Sequence, residues 1–264
     1  MLYLKLVNHD RMFQSLRYTP IIANDFDTST KEGRDKLSRF LYTRYEGDTL
    51  SVIPTCDCGN LHGGINLGKR CHICGVICDS VIERPLESTL WLRKLPGVKA
   101  FINPTVWTIL SEKLKTASVN VLEWLCNPHM VLDKEPILVK KLKRNGFDNK
   151  ECRGINYFYD HFDEIMEFIF CEGFTLSTYE AAAKAGHVEG KNVEIVQFIR
   201  ENRGNIFSDY LPMPSKAGFI VESNESGVYA DSIIKIAFDA LMTVTSIKNS
   251  LEDLPISRLE ARTV

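Results

Sequence analysis

Two cysteine pairs carry the most specific chemistry in the chain: Cys56-Asp57-Cys58-Gly59 and Cys71-His72-Ile73-Cys74-Gly75, with a twelve-residue loop between Cys58 and Cys71. Each pair belongs to a turn that can aim both sulfurs at one point, so Cys56, Cys58, Cys71 and Cys74 together suit a single tetrahedral Zn²⁺. Four thiolates leave no position for water or substrate, so a zinc ion held this way is structural. Gly59 and Gly75 follow the two pairs; glycine there allows positive φ and leaves amide hydrogens free to face the sulfurs. Free core cysteines and a pair of disulfides are the competing assignments. The loop residues Asn60, Gly63, Gly64, Asn66 and Gly68 give a core no apolar pattern to follow. His62, His72 and Cys78 are near enough in sequence for one of them to replace a ligand.

Two further clusters invite chemistry. Asp25 and Asp27 in Asn24-Asp25-Phe26-Asp27 could meet one magnesium ion, although acidic residues ahead of a helix are the ordinary complement to its dipole. Lys140, Lys141, Lys143 and Arg144 form the densest basic cluster, either a solvated helix face or a contact for nucleic acid.

The composition bounds what these groups can serve. At 264 residues and 44% hydrophobic, the chain can bury a core that does not depend on a metal alone. Lys+Arg 32 against Asp+Glu 34 gives a net charge of -2, so any nucleic-acid contact must come from local patches. Of the eight cysteines, Cys78, Cys126, Cys152 and Cys171 show no pairing signature, which with a bound metal fits reduced thiols in a cytosol. No apolar run approaches the roughly 18 residues of a membrane span, and the N-terminus lacks signal-peptide zoning. The expectation is a soluble, cytoplasmic protein.

Patterning predicts the elements that position these residues. A strand starts near residue 2, and a helix runs from about Thr30 to Tyr45, capped by Thr28 or Ser29. Leu50–Pro54 enters the cysteine loop as a strand, and Val76–Cys78 with Val81–Ile82 returns from it as a hairpin. Leu90–Pro96 is an apolar segment ending in a Pro-Gly turn. Helices follow from Asn103-Pro104 to about Lys115, from Val119 to Leu125, and from Glu135-Pro136 to Arg144. Tyr157 to Phe170 carries an aromatic stripe for core packing, with base stacking a poor second. Ser177-Thr178-Tyr179-Glu180 has capping-box spacing ahead of another helix, and Val193 to Asn202 turns Ile195, Val196 and Ile199 inward. Leu211–Pro214 reads as an extended linker, Gly218–Val221 as a strand, and Asp231 to Leu251 as a long helix. The class is α+β, mostly helical.

The spacing Cys56-x-Cys58-Gly59, then Cys71-x-x-Cys74-Gly75-Val76, resembles the N-terminal zinc-binding domain of the largest (β′) subunit of multisubunit DNA-directed RNA polymerases. Trp91-Leu92-Arg93-Lys94-Leu95-Pro96 is similar to the family's tryptophan-containing basic run ending in Leu-Pro. Tyr210-Leu211-Pro212-Met213-Pro214 resembles the family's Leu-Pro-x-x-Pro passage from clamp to dock. The resemblance implies a small zinc-ribbon-like hairpin on a helical clamp-like body. Its segments are an N-terminal strand and helix (1–49), a zinc-binding domain (50–90), a clamp-like region (91–205) and a dock-like strand with the long helix (206–264).

For function, the resemblance implies a non-catalytic transcription protein, a stand-alone version of the kind a bacteriophage encodes. It would carry one structural zinc, dock on RNA polymerase subunits and hold DNA, with single-stranded promoter DNA as a variant. Lys69, Arg70, Arg93 and Lys94 would touch the nucleic acid near the metal, and Lys140, Lys141, Lys143 and Arg144 would form a second patch. Glu83-Arg84-Pro85-Leu86-Glu87 is less basic than the family's corresponding run. The family's Asp-rich magnesium loop lies beyond the dock, so no catalysis is expected from this chain alone. A zinc-stabilised protein-interaction module, such as a polymerase inhibitor or assembly factor without nucleic-acid binding, is the other expectation.

Overall fold

Short helices, three of them capped by an asparagine side chain, are the main regular structure of the described chain. The structure, a computed structural model, describes residues 6–16, 19–28, 30–41, 43–44, 54–79, 88, 90–147, 153–215, 220–224, 227–230, 239 and 243. The elements in chain order are α1 (His9–Gln14), β1 (Ile21–Ile22), α2 (Lys31–Leu41), β2 (Thr43–Arg44), β3 (Leu90–Arg93), β4 (Phe101–Ile102), α3 (Pro104–Leu114), α4 (Val121–Cys126) and α5 (Ile137–Leu142). They continue with α6 (Ile155–Asp160), α7 (Phe162–Phe170), α8 (Tyr179–Lys184), α9 (Val193–Glu201), β5 (Phe207–Ser208), β6 (Tyr210–Pro212), β7 (Ile220–Asn224) and β8 (Gly227–Ala230). The class is α+β and mostly helical, as its patterning predicts. Most of the strand expected near residue 2, the strand over 50–53, the return over 81–82 and the helix over 231–251 lie outside the described residues.

Two units emerge, each drawn from separated stretches. One takes Met1–Ser15, Lys94–Tyr210 and Asp253–Val264; the other takes Leu16–Arg93 and Leu211–Glu252.

The first unit is helical. Asn103 opens α3 by accepting the Thr105 amide at 3.0 Å, with Pro104 in the first turn where a missing N–H costs nothing. Asn120 opens α4 in the same way, through the Leu122 amide at 3.1 Å. Val106, Leu110 and Leu114 of α3 are buried, while Trp107 and Ile109 are half-buried. The aromatic stripe enters the core as expected, but as two helices: His161 leaves helical geometry (φ -109°, ψ 21°) between α6 and α7. Across that break Phe158 and Phe162 meet edge to face at 5.3 Å, and Phe207 sets its ring against Phe162 at 5.3 Å. The capping box expected at Ser177–Glu180 does not form. Thr178 holds the N-cap position of α8, but its hydroxyl accepts the amide of Thr175 in the preceding turn, and Glu180 pairs with Lys184 and Arg200 instead. Ile195, Val196 and Ile199 of α9 are buried.

The second unit contains two small sheets, β1-β3-β6 and β2-β7-β8. In the first, β1 and β3 are parallel, with Ile21 opposite Leu90 and Ile22 opposite Trp91. The Leu211–Pro214 segment is extended, as expected, and its first residues belong to β6; the Met213 amide donates to the Leu90 carbonyl at 3.0 Å. Asn24 is buried and clamps β3 through both ends of its amide: Nδ2 donates to the Arg93 carbonyl at 2.8 Å, and Oδ1 accepts the Arg93 amide at 2.9 Å. Thr30, not Thr28 or Ser29, caps α2, accepting the Gly33 amide at 3.1 Å.

Candidate metal centre

The cysteine loop folds on its own backbone. Thr55 and Asp79 close its base through a pair of amide–carbonyl bonds, at 2.9 and 3.3 Å. Inside that base, Cys56 and Cys58 lie in one turn and Cys71 to Cys74 in another. Gly59, at φ 68°, donates to the Cys56 carbonyl at 2.9 Å; Gly75, at φ 72°, donates to the Cys71 carbonyl at 2.9 Å. Positive φ at both glycines is the backbone requirement expected of the two turns. Their amides differ from expectation, since they close the turns and do not face the sulfurs. Antiparallel pairing of Arg70 with Ile77 supports the second turn, and no longer hairpin strands are present among the described residues of the loop.

The four sulfurs of Cys56, Cys58, Cys71 and Cys74 lie within 4.8 Å of one another. Cys56 Sγ is 3.5 Å from Cys58 Sγ, which is 3.5 Å from Cys71 Sγ. None of the four is in a disulfide. A tetrahedron with metal–sulfur bonds of about 2.3 Å has edges a little under ~4 Å, so the donor set fits one ion with all positions filled. The four cysteines could hold a metal ion.

Backbone amides, from residues other than the glycines, solvate the sulfurs. Leu61 donates to Cys56 Sγ at 3.3 Å and Ile73 to Cys71 Sγ at 3.4 Å. The amides of Cys74 and Ile73 pull the Cys71 thiol below its ordinary pKa, while burial pushes Cys58 up and the Asn60 amide opposes that push. Neighbouring thiols compete for their protons, and a cation at the centre would hold all four as thiolates. Cys78 is excluded as a ligand. It is buried, its Sγ points to the Leu61 carbonyl at 3.7 Å, and burial raises its pKa. His62 and His72 are exposed and stand outside the quartet.

Comparison with known proteins finds no family model that matches the chain and no matching curated protein.

The basic residues separate by their partners. Lys69 reaches Asn66 Oδ1 at 3.3 Å and Arg70 the Gly75 carbonyl at 3.1 Å, so both brace the loop while remaining exposed. Arg93 pairs with Asp25 at 2.6 Å, Lys94 with Asp209 at 2.8 Å, and Lys143 with Glu135. Lys140, Lys141 and Arg144 are exposed, with no ion pair among the described residues. Asp25 is thus committed to a cation, and the cysteine quartet is the one metal-ligand cluster among the described residues. The described residues also contain no helix long and apolar enough to cross a membrane.

The apolar side chains of the loop stand outside the ligand spacing. Ile65 is 85% exposed and Ile73 64%, and Leu67, Val76 and Ile77 are also exposed. Their signal was present, since isoleucine, leucine and valine in a loop whose interior is sulfur have no local core to enter.

Proposed function

We propose that the chain is a non-catalytic transcription protein that uses one structural Zn²⁺ to shape a loop for docking on an RNA polymerase. The observation that carries it is the convergence of Cys56, Cys58, Cys71 and Cys74 within 4.8 Å, at the spacing that resembles the β′ zinc domain. Zinc is favoured among metals because four soft sulfur donors in a tetrahedral arrangement suit it. The ion would cross-link the two turns and supply no reaction chemistry. The exposed Ile65, Leu67, Ile73, Val76 and Ile77 give the loop an apolar surface of the kind that protein contacts cover.

DNA contact, within this proposal, falls first to Lys140, Lys141 and Arg144, which are exposed and outside ion pairs among the described residues. Lys69 and Arg70 could contribute charge while bracing the loop. Arg93, Lys94 and Lys143 would first have to leave Asp25, Asp209 and Glu135. That pairing, with the net charge of -2, favours the second reading: a zinc-stabilised interaction module, such as a polymerase inhibitor or assembly factor, that binds no nucleic acid.

The deciding experiment captures the tagged chain from its source cells, identifies partners by mass spectrometry, and titrates the purified protein with single-stranded DNA across a salt series. Polymerase subunits retained by the natural chain but lost from Ile73→Asp support docking through the loop. DNA binding that weakens steeply with salt and falls in Lys140→Glu favours the DNA-holding form; polymerase capture without DNA binding favours the module. Capture without any polymerase subunit sinks the transcription proposal.

A further inference from the structure

The cysteine quartet has a second chemistry besides ligation. Its four sulfurs lie within 4.8 Å of one another and none is in a disulfide, so an oxidant can join two neighbours. Metal-bound cysteine sulfurs are thiolates, and the thiolate is the form that a hydroperoxide oxidises. Access differs across the quartet. Cys56 and Cys71 are each 1% exposed, whereas Cys58 and Cys74 are half-buried. A reagent from solvent therefore meets the sulfurs of Cys58 and Cys74 first.

Geometry then selects the partner. Cys58 Sγ has Cys56 Sγ and Cys71 Sγ as neighbours, each at 3.5 Å. A bridge to Cys56 would have to close over Asp57 alone while keeping its Cβ–S–S–Cβ torsion near ~90°. Cys71 belongs to the other turn, so a bridge to it spans the twelve-residue loop and is free of that restriction. The two sulfurs need to approach by only ~1.5 Å to bond. Cys78 is no competitor: it is buried and its Sγ points to the Leu61 carbonyl at 3.7 Å. Little else cross-links the two turns, since the exposed Ile65, Leu67, Ile73, Val76 and Ile77 pack no local core.

We propose that the quartet is a redox latch, in which a hydroperoxide joins Cys58 to Cys71 and the metal ion is expelled. The Cys58 thiolate attacks one peroxide oxygen, the O–O bond breaks, and the other oxygen leaves as hydroxide with the electron pair. Cys58 is then a sulfenic acid. The Cys71 thiolate attacks that sulfur, the S–O bond breaks, and a second hydroxide leaves. The two sulfurs have lost two electrons between them, and the peroxide has become two hydroxides that solvent protons convert to water. Two of the four anionic donors are gone, and Cys56 with Cys74 is too small a set to hold the ion. An added dithiol reverses the step by exchange, becoming a disulfide itself while Cys58 and Cys71 return to thiols. The latch rests on the metal reading of the quartet and is independent of what the loop docks on.

The test titrates the full chain, loaded with zinc, with hydrogen peroxide. Released zinc is read with a chromogenic chelator, and disulfides are mapped by mass spectrometry after alkylation. The expected result is about one zinc released per peroxide consumed, a Cys58–Cys71 cross-link, and zinc binding restored by a dithiol. Cys78→Ser keeps all four ligands and should behave like the natural chain. Zinc retained in excess peroxide, or a first cross-link other than Cys58–Cys71, overturns the latch and leaves the ligand assignment standing. Release with sulfinic acid and no disulfide overturns it in the same way. A chain that takes up no zinc overturns the latch and the ligand assignment together.

Discussion

Gly75 shows how a single backbone angle can set metal affinity. Its φ of 72° lies in the left-handed region, and a Cβ built there meets nothing within 4 Å. The penalty for Gly75→Ala is therefore one of backbone strain alone, about 1–2 kcal/mol. Competition with a chelator should show metal affinity reduced by about five- to thirtyfold, since the turn holds both Cys71 and Cys74. Unchanged affinity would mean that the second turn does not need this conformation. His9 provides a residue-scale test of pH. Its Nδ1 is buried without a partner, and burial lowers its pKa from the ordinary 6.5, against a smaller opposing pull from Asp10. The unfolded chain thus binds the proton more readily than the folded one. The stability contributed by neutral His9 is complete above its unfolded pKa and is lost as pH falls through 6.5 toward the lower folded value. Thermal melts between about pH 7.5 and pH 5.5 should show a decline that is shallower in His9→Gln; equal slopes would remove His9 from the account.

At the scale of elements, helix openings provide the sharper comparison. Asn103 is 2% exposed, caps α3, and donates through Nδ2 to the carbonyls of Val7 at 3.2 Å and Asn205 at 3.3 Å. Asn120 caps α4 but is half-buried, and its Nδ2 meets only the Ser111 hydroxyl. Asn103→Ala should cost about 2 kcal/mol or more, because it removes a cap together with two further hydrogen bonds of a buried amide. Asn120→Ala should cost about 1 kcal/mol, the ordinary value of a cap. Urea denaturation midpoints in the reverse order would contradict this ranking. The start at Asn103-Pro104 was legible as a local signal, whereas the helix expected from Val119 begins only at Val121, and Asn120 as its cap was missed. The cysteine turns were legible in the same local way, since ligand spacing and glycine lie within a few residues of each other. What was not legible depended on distant partners. The hydroxyl of Thr178 serves the turn before α8, and Glu180 is drawn to Arg200 on another helix, so the spacing of a capping box existed without its bonds. The aromatic stripe over Tyr157–Phe170 divides at His161 into two helices, and the α1 helix lacks a strong apolar period. The burial of Arg153 gave no sequence signal, since its partners are the carbonyls of Trp124, Pro128 and Met130 at the α4 end and the turn beyond it.

At the scale of the whole molecule, the metal loop and the helical unit rest on different foundations. Among the described residues of the loop, the buried side chains are chiefly Cys56, Cys71 and Cys78, whereas the helical unit buries Leu110, Leu122, Phe158, Phe162 and Met166. Removing the ion should therefore unfold one region and spare the other. In Cys71→Ser, the stoichiometric zinc of the proposal should be lost, since structural zinc binding is worth on the order of 10 kcal/mol or more. Hydrogen exchange should then rise from Thr55 to Asp79 while α3 to α7 stay protected. Retained zinc with an unchanged exchange pattern would refute the ligand assignment. The separated make-up of the units also governs the order in which a growing polypeptide can settle. The cysteine loop closes through partners no farther apart than Thr55 and Asp79, but β2 must find β7 through Thr43 and Ile220. On the ribosome the loop could trap the proposed ion as soon as residue 79 has emerged. The β2-β7 pairing of the same unit must wait until the entire helical stretch has been made, so a metal would be captured well before the unit is complete.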